Sequence, residues 1–394
     1  MERYYKAFKQ IFCFIGYIIC GISVEPDKAV VTLKRTEKTC NCPICKRRCS
    51  VIETYTRNIR DLDLCGKECY LELETFHIHC SCGYYGIEKL DFLDKYARHT
   101  KRFTEYVAML CQKMSLKDAA KIARINWKTA KRIDKEELRK LVKDLKNANP
   151  KRIGVDEIAY EKGHKYLSVV RDLDLGRVIW VGEGRAKEDL DLFFIELGEK
   201  KCKRITVAVI DMWKPYIASI KEYTNAEIVF DKFHVVKKIN EAVDNIRKKE
   251  FAKADKEERI NMKHKRFLIL SRRKNLKPEE VESLDILIEQ NNPLFVAYLM
   301  KEQGFDVFDE SDPINGIARL NKWIDNVIET GIEEFKSVIE TIKNYLYGIV
   351  NYFKYKLTNA ASEGFNTKIN VIKRRAYGFR DLEYFKLKIL QSCG

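Results

Sequence analysis

One short stretch, residues 359–379 (NAASEGFNTKINVIKRRAYGF), holds side chains whose types and spacing suit chemistry on a phosphodiester. Glu363, Asn366, Asn370 and Arg374 recur three or four residues apart, so a helix carries them on one side. Phe365, Ile369 and Ile372 recur at i, i+4, i+7 and give the same helix a stripe to bury. A carboxylate on that face can hold a divalent ion. The amides can hydrogen-bond phosphate oxygens, and the basic end, Lys373, Arg374 and Arg375, can neutralise a nucleic-acid backbone. A solvated helix face that ends in a charge run has the same spacing, so the reading depends on partners elsewhere in the chain.

Two further carboxylates are placed to be those partners. From Asn147-Ala-Asn-Pro150 onward the periodicity changes to short apolar runs. Residues 152–157 (RIGVDE), 166–173 (YLSVVRDL) and 177–181 (RVIWV) read as three strands joined by short turns. Residues 190–197 read as a helix, 205–210 (ITVAVI) as a buried strand, 215–223 as a helix and 227–230 as a fifth strand. The order β-β-β-α-β-α-β predicts an α/β, ribonuclease-H-like mixed sheet flanked by helices. Asp156 falls on the first strand and Asp211 immediately after the fourth. Neighbouring strands lie ~5 Å apart, so both acids can reach one site. With Glu363 from a later helix they form a set of three anions that repel one another unless cations sit among them. Two Mg2+ or Mn2+ ions satisfy that need and suit phosphodiester chemistry. Asp231-Lys-Phe-His234 follows the fifth strand, with His234 placed to contact a phosphate or to cap a helix. The stretch from Val235 to Tyr352 is almost wholly helical in pattern, an insertion with the length of a domain of its own.

Eight of the thirteen cysteines lie between Cys40 and Cys82, a density that points to metal binding rather than to a secreted disulfide framework. Cys42-Pro-Ile-Cys45 is a C-x2-C knuckle, and Cys80-Ser-Cys82 is a second, tighter thiol pair. Residues 69–78 (CYLELETFHI) alternate as a strand does. Two thiol pairs joined by a hairpin make a zinc ribbon, a structural site because four thiolates leave no open position. Cys40, Cys49, Cys65, Cys69, His77 and His79 are close enough in sequence to substitute as ligands.

Residues 114–133 (MSLKDAAKIARINWKTAKRI) carry a helix-turn-helix pattern. Ser115 can cap a first helix whose Leu116, Ala119, Ala120 and Ala123 form a small apolar face. Asn126 can cap a second, with Trp127, Ala130 and Ile133 inward and Lys128, Lys131 and Arg132 outward. A helix anchored on one side and basic on the other suits the major groove of DNA. The turn lacks the glycine often found there.

Composition agrees with a nucleic-acid partner. Net charge is +16 over 394 residues, an excess that favours a polyanion, and 45% hydrophobic content excludes a disordered chain. The one long apolar run, residues 11–24 (IFCFIGYIICGISV), is too short to span a bilayer and reads as a buried strand or helix. A cytoplasmic protein without a membrane partner is the expectation.

At this point the chain resembles a DDE transposase of the ISL-three insertion-sequence family over nearly its whole length. CPIC and RNIRDLDLCGK resemble that family's zinc-binding N-terminal segment. GVDE, IDMWKPY, FDKFHVVKKIN and SEGFNTKINVIKRRAYGF resemble its catalytic blocks, in order. The resemblance implies that Asp156, Asp211 and Glu363 form the metal-binding catalytic triad, with Asp231 and His234 matching a D-x2-H motif. It implies two Mg2+ or Mn2+ ions, and one Zn2+ held by Cys42, Cys45, Cys80 and Cys82. It also implies a bacterial, nucleoid-associated enzyme, at least dimeric on DNA, that binds terminal inverted repeats and target DNA. Two departures stand out: the C-x-C spacing of Cys80 and Cys82, and TNAASEG where a glycine-containing turn is expected after the asparagine. A non-catalytic regulator derived from such an enzyme, or a nuclease of the same fold, are the alternatives. The expected organisation is an N-terminal domain over 1–95 with its ribbon at about 40–85, then a helix-turn-helix domain over 96–148. The catalytic domain follows over 149–394, interrupted by the helical insertion at about 240–352.

Overall fold

A computed structural model describes residues 14–145, 147–161, 163–358, 360–376 and 378–394; the side chains of 142–145 and 360–363 lie outside the described residues. The chain forms two compact units. One takes in the chain up to Lys143 together with Lys373–Leu387, the other Asp144–Ile372 with Lys388–Gly394.

The first unit holds a sheet of β1 (Tyr17–Val24), β2 (Lys28–Arg35), β3 (Cys40–Asn41), β4 (Arg48–Leu64), β5 (Lys67–His79) and β6 (Tyr85–Ile87). Their order is β1-β2-β5-β4-β3, with β6 alongside β5. The long β4–β5 hairpin turns at Cys65 and Gly66, both at positive φ (49° and 79°), as a two-residue turn matched to strand twist requires. Alternation along β5 buries Cys69, Leu71 and Leu73 against Val31 and Leu33 of β2. The apolar run at 11–24 is corrected in part. Residues 11–13 lie outside the described residues, and the rest forms β1, an edge strand. Tyr17 is buried, whereas Ile18, Ile22 and Val24 are exposed. An edge strand has only one neighbour, and an apolar run without alternation cannot bury both its faces there.

Three helices follow: α1 (Lys101–Lys113), α2 (Leu116–Ile122) and α3 (Trp127–Leu145). Each is capped by a side-chain oxygen. Thr100 accepts from the Phe103 N–H, Ser115 from Asp118 and Asn126 from Lys128. Ala119, Ala120, Ala123, Ala130 and Ile133 pack on Phe103 and Val107 of α1. Arg124 takes the place of the missing glycine, at φ 53°. Trp127 corrects the sequence reading: it is 47% exposed rather than inward, because the alanine-lined interior holds Ala130 and Ile133 and leaves no volume for an indole. The returning segment packs on α3, with Tyr384 and Leu387 against Leu138 and the Tyr384 hydroxyl 2.5 Å from buried Asp134.

The second unit contains β7 (Arg152–Glu161), β8 (Lys165–Asp172), β9 (Arg177–Glu183), β10 (Val207–Ile210) and β11 (Glu227–Phe230). The order is β11-β10-β7-β8-β9. β11, β10 and β7 run parallel, while β7, β8 and β9 form an antiparallel meander. Helices α4 (Lys187–Leu197), the single turn α5 (Glu199–Cys202) and α6 (Lys214–Tyr223) make the connections. Beyond α7 (Lys232–Lys253) come α8 (Lys256–Met262), α9 (Arg266–Leu270), α10 (Pro278–Glu289), α11 (Asn292–Asp309), α12 (Pro313–Glu329), α13 (Lys336–Asn344) and α14 (Leu346–Tyr355), then α15 (Ala360–Arg375) and α16 (Leu382–Cys393). The insertion is not folded apart: Val243, Trp323 and Ile349 belong to one continuous core with Val155, Val209 and Phe230 of the sheet. α14 covers the β11 edge. Gly348 sits against the Phe230 ring, Asn351 donates to the Ile228 carbonyl (2.9 Å) and Lys354 pairs with Glu227 (2.7 Å). Among the described residues no helix is long and apolar enough to cross a membrane.

Candidate active site

Strand register brings the acids together. β10 pairs with β7 so that Val209 faces Gly154, and with β11 so that Ile210 faces Phe230. Continuing both registers by one or two residues puts Asp156, Asp211 and Asp231 at one level across three adjacent parallel strands. Asp156 Oδ1 accepts from the Glu157 N–H (2.8 Å) and Oδ2 from Asn366 Nδ2 (3.0 Å). Asp231, buried, caps α7 by accepting from the Phe233 N–H (3.0 Å). One turn into that helix, His234 Nε2 meets Asp211 Oδ1. Asp156, Asp211 and His234 line a cleft of about 310 Å³, together with Glu157, Trp213, Lys237 and Lys238.

The electrostatics match a crowded anionic site. Burial holds the Asp211 carboxyl above its ordinary range; His234 opposes the shift, and the charges of Asp156 and Asp231 add to it. His234 is shifted upward: burial opposes its charged form, but Asp211, joined by the charges of Asp231 and Asp156, outweighs it. A carboxylate whose charge is disfavoured by burial and by like neighbours is a group that a bound cation relieves, and oxygen donors of this kind suit a divalent ion. The side chain of Glu363 lies outside the described residues. Its position in α15 is three residues, one turn, before Asn366.

Sequence reading missed two arginines here. Arg171, fully buried on β8, has its guanidinium 5.2 Å from the centre of the Phe365 ring, and its charge acts on Asp156 and Asp231. The signal was present, a lone cation inside the apolar run YLSVVRDL. Arg185 stacks on Tyr166 (4.1 Å) and Trp213 (4.8 Å) and pairs with Glu157 (3.3 Å). Nothing in its local sequence marks it.

The remaining basic candidates separate by partner. In α15, Asn370 and Arg374 are exposed and Lys373 is half-buried, whereas the Arg375 guanidinium donates to the Gln112 carbonyl at the end of α1. On α3, Lys128 is exposed, and Arg132 is exposed with an ion pair to Glu136 (3.2 Å). Lys131 is not outward as expected. It is half-buried, pairs with Asp381 at 2.8 Å and stands 5.6 Å from the Tyr384 ring centre. The returning segment covers that side of α3, a long-range contact that helical periodicity cannot reveal.

At the far end of the β4–β5 hairpin, the sulfurs of Cys42, Cys45, Cys80 and Cys82 all lie within 4.8 Å of one another. The closest pairs are Cys42–Cys82 (3.5 Å) and Cys45–Cys80 (3.4 Å). Tetrahedral thiolates at the Zn–S distance of about 2.3 Å stand ~3.8 Å apart, so the four sulfurs fit such an ion. Two tight turns present them. Lys46 N–H donates to the Cys42 carbonyl (3.1 Å) and Gly83 N–H to the Cys80 carbonyl (2.9 Å), which accommodates the short C-x-C spacing. The Cys82 N–H foremost, with neighbouring thiols, pushes the Cys80 thiol down to about 6. Cys65 is at the opposite tip of the hairpin and Cys69 in the sheet core, so neither belongs to this cluster.

Comparison with known proteins agrees with this layout. Residues 153–389 match a family described as transposase, and residues 88–137 match the helix-turn-helix domain of transposase family ISL3. The transposase for insertion sequence element IS1001 of Bordetella parapertussis is 34% identical over 93% of this chain and 92% of its own length. The transposase for insertion sequence element IS1557 of Mycobacterium tuberculosis is 28% identical over 86% and 82%. The chain belongs to the ISL3 family of DDE transposases, and is the transposase of an insertion sequence with a catalytic DDE domain and a helix-turn-helix domain.

Proposed function

We propose that this transposase cuts and joins DNA at the ends of its own insertion sequence, with Asp156, Asp211 and Glu363 holding Mg2+ or Mn2+. The observation that carries the reading is the shared register level of Asp156 and Asp211 on adjacent parallel strands, with α15 docked on Asp156 through Asn366. An antiparallel meander continued by two parallel strands with connecting helices supports a ribonuclease-H-like core. Divalent ions, when bound, supply charge neutralisation and an activated oxygen nucleophile. The chain's own residues hold the acids in place. Asn366 orients Asp156, and His234 orients Asp211. Lys237 and Lys238 at the cleft draw in the phosphodiester backbone. The four clustered thiols hold one structural Zn2+, and the helix-turn-helix brings the terminal repeats. Two DNA ends must be held at once, which supports an assembly of at least two copies on DNA within the bacterial nucleoid.

The test is cleavage of labelled terminal-repeat DNA by Asp156→Ala, Asp211→Ala and Glu363→Gln, with folding checked by circular dichroism and binding by gel shift. Each variant is expected to bind DNA and lose cleavage. A folded Asp156→Ala or Asp211→Ala enzyme that cuts at the wild-type rate overturns the reading. A folded Glu363→Gln enzyme that does so removes Glu363 from the set of acids.

A further inference from the structure

A second cleft, larger than the first at about 670 Å³, lies wholly within the first unit. Its walls are the β4–β5 hairpin, the loop around Tyr96–His99 and the turn from α2 into α3. Four arginines line it, Arg60, Arg98, Arg124 and Arg132, and no carboxylate is among its lining residues. We propose that this cleft is a phosphodiester-binding site that grips one strand of the DNA backbone beside the groove entered by α3. The proposal rests on the reading of α1–α3 as the DNA-binding element and names a contact outside the recognition helix.

The cleft is built in advance of any ligand. Arg60 is 4% exposed and fixed by the carbonyls of Asp61 (2.6 Å) and Cys69 (3.1 Å) and by Asp63 (2.5 Å). Its buried Nε has no hydrogen-bond partner, with a Glu68 carboxylate oxygen 3.8 Å away. The loop is pinned to β4 by Arg60 N–H on the Arg98 carbonyl and Thr100 N–H on the Arg60 carbonyl, both 3.0 Å. Arg98 therefore has a fixed backbone, and its exposed side chain has no hydrogen bond or ion pair among the described residues. Arg124 is held at positive φ, with only a 3.8 Å contact to Asp63. The arginines act on their surroundings: burial first, then Arg132, Arg60 and Arg98, push the His99 imidazole down to about 4. The carboxylates that pair with Arg60, Arg124 and Arg132 (Asp63, Glu68 and Glu136) are not among the lining residues, so the cleft itself presents like charges that an entering anion relieves.

The position says which anion. Asn126 at the cleft caps α3, so the positive end of a nineteen-residue helix faces the same space. In helix-turn-helix docking the first residues of the second helix meet base edges while neighbouring groups hold backbone phosphates. Tyr96, 66% exposed in the loop wall, offers a ring against a sugar or base. Cations on three walls and contiguity with α3 favour DNA over a small free anion.

The experiment uses the full chain with Arg98→Ala and Arg124→Gly, the second chosen because glycine suits the positive φ. Duplexes carrying the element ends and unrelated duplexes are titrated across a salt series, beside Lys128→Ala. Each arginine variant is expected to weaken both duplexes about equally, severalfold, and to lower the slope of log K against log salt by about 1, as loss of one phosphate contact does. Unchanged affinity and slope in both variants overturn the proposal. So does a result in which millimolar inorganic phosphate raises the melting temperature of the wild type but not of the variants while DNA affinity is unmoved, since the cleft then takes a small anion. The underlying reading fails separately, if the wild type does not prefer the element ends to unrelated DNA. Arg98→Lys, which keeps the charge, is expected to retain most of the binding.

Discussion

Asn366 Nδ2 donates to Asp156 Oδ2 at 3.0 Å, joining α15 to β7 across 210 positions of sequence. This amide holds one carboxylate oxygen and the Glu157 N–H holds the other, which fixes the rotamer of an acid that lines the cleft. Asn366→Ala is expected to slow cleavage of terminal-repeat DNA by about 10–100-fold while leaving DNA binding intact, the usual cost of removing a group that orients a metal ligand. Raising Mg2+ should recover part of the rate for Asn366→Ala and none for Asp156→Ala. A kinetic series in Mg2+ distinguishes the two.

The thiol cluster makes a prediction about metal content. The purified protein is expected to carry about one Zn2+ per chain, lost in Cys45→Ser and in Cys80→Ser with a fall in melting temperature. Cys65→Ser, at the hairpin tip, should keep both. Metal analysis of reduced protein beside a thermal scan checks all three.

Covering of the β11 edge depends on a missing side chain. A Cβ on Gly348 would lie 2.4 Å from the Phe230 ring. Gly348→Ala is expected to destabilise the second unit by about 1–3 kcal/mol, the range for overpacking a filled core. Denaturant unfolding measures it.

Lys131 and Lys128, both basic and one turn apart on α3, should behave oppositely. Lys131→Ala breaks a half-buried pair with Asp381 and should cost up to about 1 kcal/mol of stability with little change in DNA affinity. Lys128→Ala should weaken DNA binding and leave stability unchanged. Melting curves and gel shifts on the two variants suffice.

His99 gives a pH dependence. It packs against Phe103 and faces Arg60, Arg98 and Arg132; burial, then those charges, lower it from 6.5 to about 4. Between those values the unfolded chain binds more protons than the folded one, so stability rises with pH through this window. The contribution is complete above about 6.5 and is lost as the pH falls towards 4. His99→Phe, which keeps a stacked ring, should flatten that part of the stability profile.

The sequence by itself determined the elements and their chemistry. Period-two and period-3.6 patterns delimited the five strands of the second unit and the helices between them, because each element's buried face is written in its own consecutive residues. The thiol pairs, the capping residues Ser115 and Asn126, and the acids Asp156 on a strand and Asp211 just after one were legible for the same reason. Tertiary structure decided the rest. Register between separate strands set Asp156, Asp211 and Asp231 at one level. The returning segment took Lys131 out of the basic face, the small alanine interior turned Trp127 outward, and the insertion merged with the core of the sheet. It also gathered arginines from β4, a loop, a turn and a helix around one cleft. Such relationships depend on which surfaces meet across long separations in the chain, and local periodicity carries no record of the partner.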